Sequence, residues 1–227
     1  MRPKGVKDSK RLSFIAFSLK CADEVPKNGF ELRQKLEDIE FWVSRWEETV
    51  RNSAALSVLI VFALFGNIVF QFDVQLGTAS PEFAILFASR IAVSLPVPVL
   101  VYLVFANEPK LNALFSAQLV LVLAYSLSNS LAIYFSGTQG NSYLLQHYLS
   151  LLLALAVFQI PTRLAMISAC TSTLSFIAAW TAGGKQTDLG VTHIGLSLAL
   201  LLALLIFHKA AHKRRVAAFE KNQEREA

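Results

Sequence analysis

Charge is almost missing from the middle of this chain. Apart from Arg90 and a few residues between apolar runs, Lys, Arg, Asp and Glu lie before Asn52 or after Phe207. Charged residues make up 16% of the 227 positions against 54% hydrophobic ones, and mean hydropathy is +0.49, far too apolar for an ordinary soluble domain. No Asp or Glu falls inside an expected membrane span, which argues against a proton-coupled or cation-coupled transporter, because such sites use buried carboxylates.

Cysteine is nearly absent too. Cys21 and Cys170 make no CxxC pair, which removes a disulfide framework and a metal knuckle. No phosphate-cradling Walker loop, HExxH, GxSxG or cyclase-like carboxylate pair occurs, so the chain is expected to hold no catalytic residue, metal or cofactor and to be no enzyme in itself. The basic start and the short apolar run Leu12 to Leu19 end at Cys21, but Lys20 stands where a signal peptidase needs a small residue. Net charge +5 and pI near 9.3 come from residues flanking apolar runs, a topological signal rather than one for nucleic acid.

What the chain has is apolar windows near the roughly 20 residues needed to cross a bilayer. They are Ser53 to Phe72, Phe83 to Phe105, Leu111 to Phe135, Tyr143 to Ile160, Leu164 to Trp180 and Gly190 to Phe207. The expected class is therefore all-α: a polytopic membrane protein with a six-transmembrane-helix bundle and cytoplasmic juxtamembrane helices. Its parts are a basic tail over 1–29, an amphipathic helix over 30–51, the membrane domain over 52–207 and a connector helix over 208–227. Between the windows stand helix breakers: Ser80-Pro81-Glu82, Glu108-Pro109, Gly137 with Gly140, Pro161, and Gly183-Gly184.

Positive charge sets the expected orientation. Both tails are rich in Lys and Arg, the second and fourth connections carry Lys110 and Arg163, and the first, third and fifth carry only Lys185. An even number of spans with both tails cytoplasmic satisfies all of these.

Ahead of the first window, Leu32, Leu36, Ile39, Val43, Trp46 and Val50 recur at steps of four and three, a narrow helical stripe that keeps a seven-residue repeat. Its other faces are net acidic, so a protein partner or a second subunit suits it better than an anionic membrane. The alternative is a helix lying at the interface with Trp42 and Trp46 as anchors. After Phe207 no Gly or Pro occurs, so the last span is expected to continue as one basic helix through Arg214, Arg215 and Phe219. Such a helix reads as a connector to an output domain elsewhere.

Few residues are candidates for a site. Arg90 is the strongly charged residue inside a window, and it has two readings. One is an anion or lipid-headgroup site, assisted by carbonyls of Ala92 and Ser94 that Pro96 and Pro98 leave without donors; the simpler one is a side chain leaning toward the helix start and snorkelling to the outer interface. Asn129 with Ser126 and Ser130, and His147 with Tyr143 and Ser150, either line a pocket or are ordinary interhelical hydrogen bonds, as are Ser168, Ser172 and Ser175. His208 and His212 have metal-ligand spacing without a third ligand, and read as an interfacial cap.

The run Phe30-Glu31-Leu32-Arg33, then Leu36-Glu37-Asp38 through Phe41, Arg45 and Arg51, leading to Ala63-Leu64-Phe65-Gly66 and Asp73, resembles the six-span membrane anchor that precedes class III adenylate cyclase and diguanylate cyclase domains in bacteria. The exit helix with Arg214, Arg215 and Phe219 is similar to the stalk that feeds the catalytic domain. The resemblance implies an input module in the bacterial inner membrane, homodimeric, that regulates a cytoplasmic cyclase domain which this chain lacks. The alternative expectation is a small stand-alone transporter or lipid-binding membrane protein.

Overall fold

The computed structural model describes residues 39–136, 144–153, 155, 158, 160–183 and 188–226. The basic tail, Leu32, Leu36, Tyr143 and Lys185 lie outside the described residues. The chain divides into two compact units, Met1–Phe41 and Trp42–Ala227; of the first, 39–41 are described and helical.

The second unit is helical throughout, and no strand occurs among the described residues. Helix α1 (Trp46–Ala63) widens into a π-helix over Leu64–Phe72 and tightens into a 3-10 turn over Asp73–Leu76. Then follow α2 (Pro81–Ser94), α3 (Pro96–Val104), α4 (Leu111–Phe135), α5 (Leu144–Leu152), α6 (Thr162–Ala182) and α7 (Asp188–Glu226). The expected start of α2 is realised by its own chemistry: Pro81 opens the helix and the Ser80 hydroxyl accepts from Phe83 N at 3.1 Å. Pro96, which has no N–H to donate, separates α2 from α3. The Ala92 carbonyl is taken by Leu95 N at 3.3 Å, so it is not one of the free acceptors foreseen beside Arg90.

Among the described residues five stretches are long and apolar enough to cross a membrane: Trp46–Leu76, Pro81–Val104, Leu111–Phe135, Thr162–Ala182 and Thr192–Phe219. Among the described residues the expected fourth window holds α5, nine residues long, or roughly 14 Å at the helical rise. Beyond it Leu153 and Leu155 are π-helical, Phe158 N donating to Leu153 O at the five-residue spacing of a π-turn, and Ile160 N donates to Phe158 O. Pro161 disfavours helix at the residue before it, which accounts for the break near Ile160.

Packing fixes directions. Ser126 pairs with Ser172 and Ser130 with Ser175, so α4 and α6 run parallel, and this is the most extensive helix contact. Trp42 lies edge-on to Phe115 at 5.1 Å and stacks on His212 at 6.1 Å; the start of α1, the start of α4 and the far part of α7 therefore meet at one end of the bundle. The core is continuous from Trp46 and Val50 through Leu86, Leu121 and Ile133 to Phe176 and Trp180.

The helical stripe expected to pair two copies is divided. The helix is interrupted at Arg45, whose φ is −100° and ψ 6°, and beyond it Trp46 and Val50 are buried in the chain's own core. Those two positions are therefore used inside the chain rather than offered to a second one. Ile39 and Val43 are half-buried.

Candidate functional site: a buried arginine with a counter-ion

Arg90 does not snorkel. Its side chain is 0% exposed. As expected from helix geometry, it leans back toward the start of α2, but it ends on other side chains. Nε donates to Asp73 Oδ2 at 3.2 Å, and Nη1 donates to Ser128 Oγ at 3.0 Å and to Asn129 Oδ1 at 2.8 Å. Asp73 is likewise 0% exposed. No carboxylate falls inside an expected window, yet Asp73 lies one residue past the expected end of the first and is part of a stretch long and apolar enough to cross a membrane.

Three elements position this group. Asp73 is the first residue of the 3-10 turn, directly after the π-helix, and Gly77 with φ 90° closes that turn, a value glycine tolerates at no steric cost. Arg90 projects from α2, and Ser128 and Asn129 from α4. Proton bookkeeping gives the serines a direction. Ser89 donates its one hydroxyl proton to Leu86 O at 2.6 Å, so Ser128, 2.7 Å from Ser89, must donate to it while accepting from Arg90. Tyr125 stands beside Asn129 and within electrostatic range of Arg90.

The guanidinium is not fully used. A guanidinium carries five N–H groups; three go to Asp73, Ser128 and Asn129, while Nη2 is buried without a hydrogen-bond partner. Buried donors left unpaired are costly, and an intramembrane charge is a functional candidate on energetic grounds alone.

The other expected site residues are distributed as follows. Asn129 joins Arg90, and its amide reaches the Gln146 carbonyl at 3.5 Å. His147 is one helix further on: it stacks on Phe176 of α6, centroids 4.1 Å apart and planes 10° apart, and its Nε2 is buried without a partner. It does not join the Arg90 group. Ser126 donates to Ser172, Ser172 to Ser150, and Ser150 to His147 O, the last step fixing the direction of the chain. These serines are the packing bonds expected of them. His208 holds the Leu155 carbonyl through Nδ1 at 2.7 Å while His212 stacks on Trp42, so the two take different partners.

Asp73 and Ser128 were missed. The signal for Asp73 was available in principle: an arginine inside a span needs a counter-ion, and Asp73 is the carboxylate at the far end of the adjacent window. Ser128 had no signal separating it from its serine neighbours.

No family model matches the chain, and neither a curated protein nor a solved structure matches it. What fold and site define is a class: an all-helical protein with several helices fit to cross a membrane and a buried ion pair between its first two spans.

Proposed function

We propose that the chain is a membrane-embedded input module that anchors, dimerises and regulates a cytoplasmic output domain, a nucleotide cyclase by the resemblance above, in the inner membrane of a bacterium. The observation that carries this reading is α7. It runs unbroken over 39 residues, Asp188–Glu226, or roughly 58 Å, while a hydrocarbon core is about 30 Å thick. The excess leaves the apolar region as a basic helix bearing Lys213, Arg214 and Arg215. Where it leaves, it touches the lead-in to α1: Trp42 stacks on His212, and Arg215 lies within electrostatic range of Arg45 and Glu48. A movement of the bundle would thus be passed to the exit helix at its root.

Six passages with both tails cytoplasmic remain the best topology. Parallel α4 and α6 require the chain between them to return through the bundle. The Leu155 carbonyl, held by His208, and the Tyr148 hydroxyl, 3.3 Å from His193 Nδ1, lie along α7 about 15 residues apart, or roughly 22 Å. The fourth passage is then made by α5 and the wider turns after it; Leu151, Leu153, Leu155, Phe158 and Ile160 are all buried.

To test the module, a cyclase catalytic domain is fused after Ala227, and one, two or three alanines are inserted between Ala217 and Ala218. Each insertion rotates the output by about 100°, so activity should rise and fall with helical phase. Activity indifferent to the insertions would sink the reading.

A second reading has its own support. The buried Asp73–Arg90 pair is a feature found at transporter binding sites. Solute flux into vesicles holding the chain alone, abolished by Asp73→Asn, would favour it over the module.

A further inference from the structure

We propose that Arg90 is the receptor for a small oxyanion, a carboxylate or phosphate monoester, which takes the buried, unpaired Nη2 edge and displaces Asp73, the built-in stand-in for that ligand. The inference rests on the input-module reading, for which it supplies the input.

The chemistry follows from what the guanidinium has left to give. Two parallel N–H donors facing one oxyanion are the geometry in which arginine binds carboxylate and phosphate most strongly. Asp73 engages Arg90 through Nε alone, at 3.2 Å, rather than through the two-pronged contact that would use Nη2. Adding an anion to the intact pair would place two negative groups on one buried cation, which a low-dielectric site disfavours. Ligand and Asp73 therefore exclude each other. Among the described residues of these elements no second cation offsets this: α2 brings Glu82 and Arg90, the π-helix brings no charged residue, and the nearby ionisable group of α4 is Tyr125.

The fold gives Asp73 somewhere to go. Val74 and Gln75, the next two residues, are exposed, and so is Gly77, so a modest rotation of the 3-10 turn moves the carboxylate from the core to the surface. The nine-residue π-helix just before it has a looser turn than an α-helix, and such stretches recur at functional sites. Release of Asp73 would let that stretch rewind and shift α1, whose start is tied through Trp42 to the exit helix. A ligand produces this shift only because it binds the Asp73-out state and not the other.

The test uses the whole chain, purified in detergent, with thermal unfolding as readout. One arm adds sodium phosphate or sodium acetate against sodium chloride at equal ionic strength; the other adds micelles doped with phosphatidylglycerol against phosphatidylcholine. Wild type should be stabilised in at least one arm, the arm telling whether a free anion or a lipid headgroup is the source. Asp73→Asn, which removes the competitor, should bind the same probe roughly tenfold more tightly. Arg90→Gln alone takes the guanidinium from a buried carboxylate and is expected to fold poorly, so the decisive variant is Asp73→Asn with Arg90→Gln, a neutral pair that should fold and show no stabilisation. The proposal is overturned if neither wild type nor Asp73→Asn responds in either arm, if Asp73→Asn binds no more tightly than wild type, or if the neutral pair keeps the response. Because no output domain is involved, failure here leaves the helical-phase experiment standing, and failure there leaves this site standing.

Discussion

Two of the polar contacts of helix α4, on two of its faces, are built on opposite principles. Toward α2, Ser128 and Asn129 hold a buried guanidinium whose counter-ion is a single carboxylate. Toward α6, Ser126 and Ser130 make neutral hydroxyl bonds to Ser172 and Ser175. In the second contact every proton has an acceptor, the chains ending on the carbonyls of His147 and Ser172; in the first, Nη2 has none. A neutral, satisfied seam holds helices together at small cost if altered. A charged, incompletely satisfied one is sensitive to any change of charge, and this is the property a switch needs.

The comparison is sharpest at Arg90. Arg90→Leu removes one partner of a buried ion pair and should destabilise the protein by about 3 kcal/mol or more, since the buried carboxylate left behind loses its guanidinium. Unfolding in mixed SDS micelles measures this. The neutral pair, Asp73→Asn with Arg90→Gln, should recover most of the loss. A snorkelling arginine would behave differently, with Arg90→Leu harmless, and that result would remove the distinction between the two faces altogether.

Next in size is Ser128→Ala, which takes an acceptor from the guanidinium. Bonds to charged groups contribute roughly 1.5 kcal/mol or more, and Arg90 would lose one of its three partners while Nη2 is already unpaired. The same SDS titration should give a loss clearly above that of any serine on the α6 side.

How much of this was legible in the sequence depends on which physical signal each feature writes. The third span was legible to the residue, Leu111–Phe135, because charged and proline-bearing Glu108-Pro109-Lys110 ends one side and Gly137 stands at the other. The α2 start was legible because Ser80 and Pro81 act locally. The fourth window was not: hydropathy counts apolar residues, and Leu153 and Leu155 are apolar whether the turn they stand on is α-helical or, as here, π-helical. Nor was the π-helix, since nothing in Leu64–Phe72 distinguishes it from α-helical sequence. In the site, Arg90 with Asn129 was legible as polarity inside apolar runs. Asp73 was lost to a window boundary one residue short, and with it the fact that the arginine is paired rather than exposed to the interface. In the stripe from Leu32 to Val50 the periodicity alone does not say which partner a position meets: Trp46 and Val50 serve the chain's own core.

Within the neutral seam, Ser172 is the residue with most to lose. It accepts from Ser126 at 2.7 Å and donates to Ser150 at 3.0 Å, so Ser172→Ala breaks two bonds at once and should cost about 1.2 kcal/mol, twice the mean for an interhelical bond in a membrane protein. Ser126→Ala with Ser172→Ala together should cost little more than Ser172→Ala alone, because the bond they share is already gone. A strictly additive double variant in the SDS titration would show that the chain of hydroxyls is not connected as described.

The smallest effect is expected at Ser130, and it is the most direct control for the whole comparison. Ser130→Ala and Ser128→Ala remove the same atom from the same helix two positions apart, so helix propensity and side-chain entropy change equally in both. Ser130 has one interhelical bond, to Ser175 at 3.0 Å, and Ser175 keeps its own bond to Ser172 O at 2.9 Å when Ser130 is gone. No donor is stranded, because the Ser175 oxygen only loses a proton it was accepting. The cost should therefore stay near 0.6 kcal/mol, roughly the average for neutral interhelical bonds, and under half that of Ser128→Ala. Equal losses for the two serines would mean that Arg90 gains nothing from Ser128 and that its fixed position comes from Asp73 and Asn129 alone. A larger loss at Ser130 would reverse the assignment of the sensitive face and move the search for the input from α2 to α6.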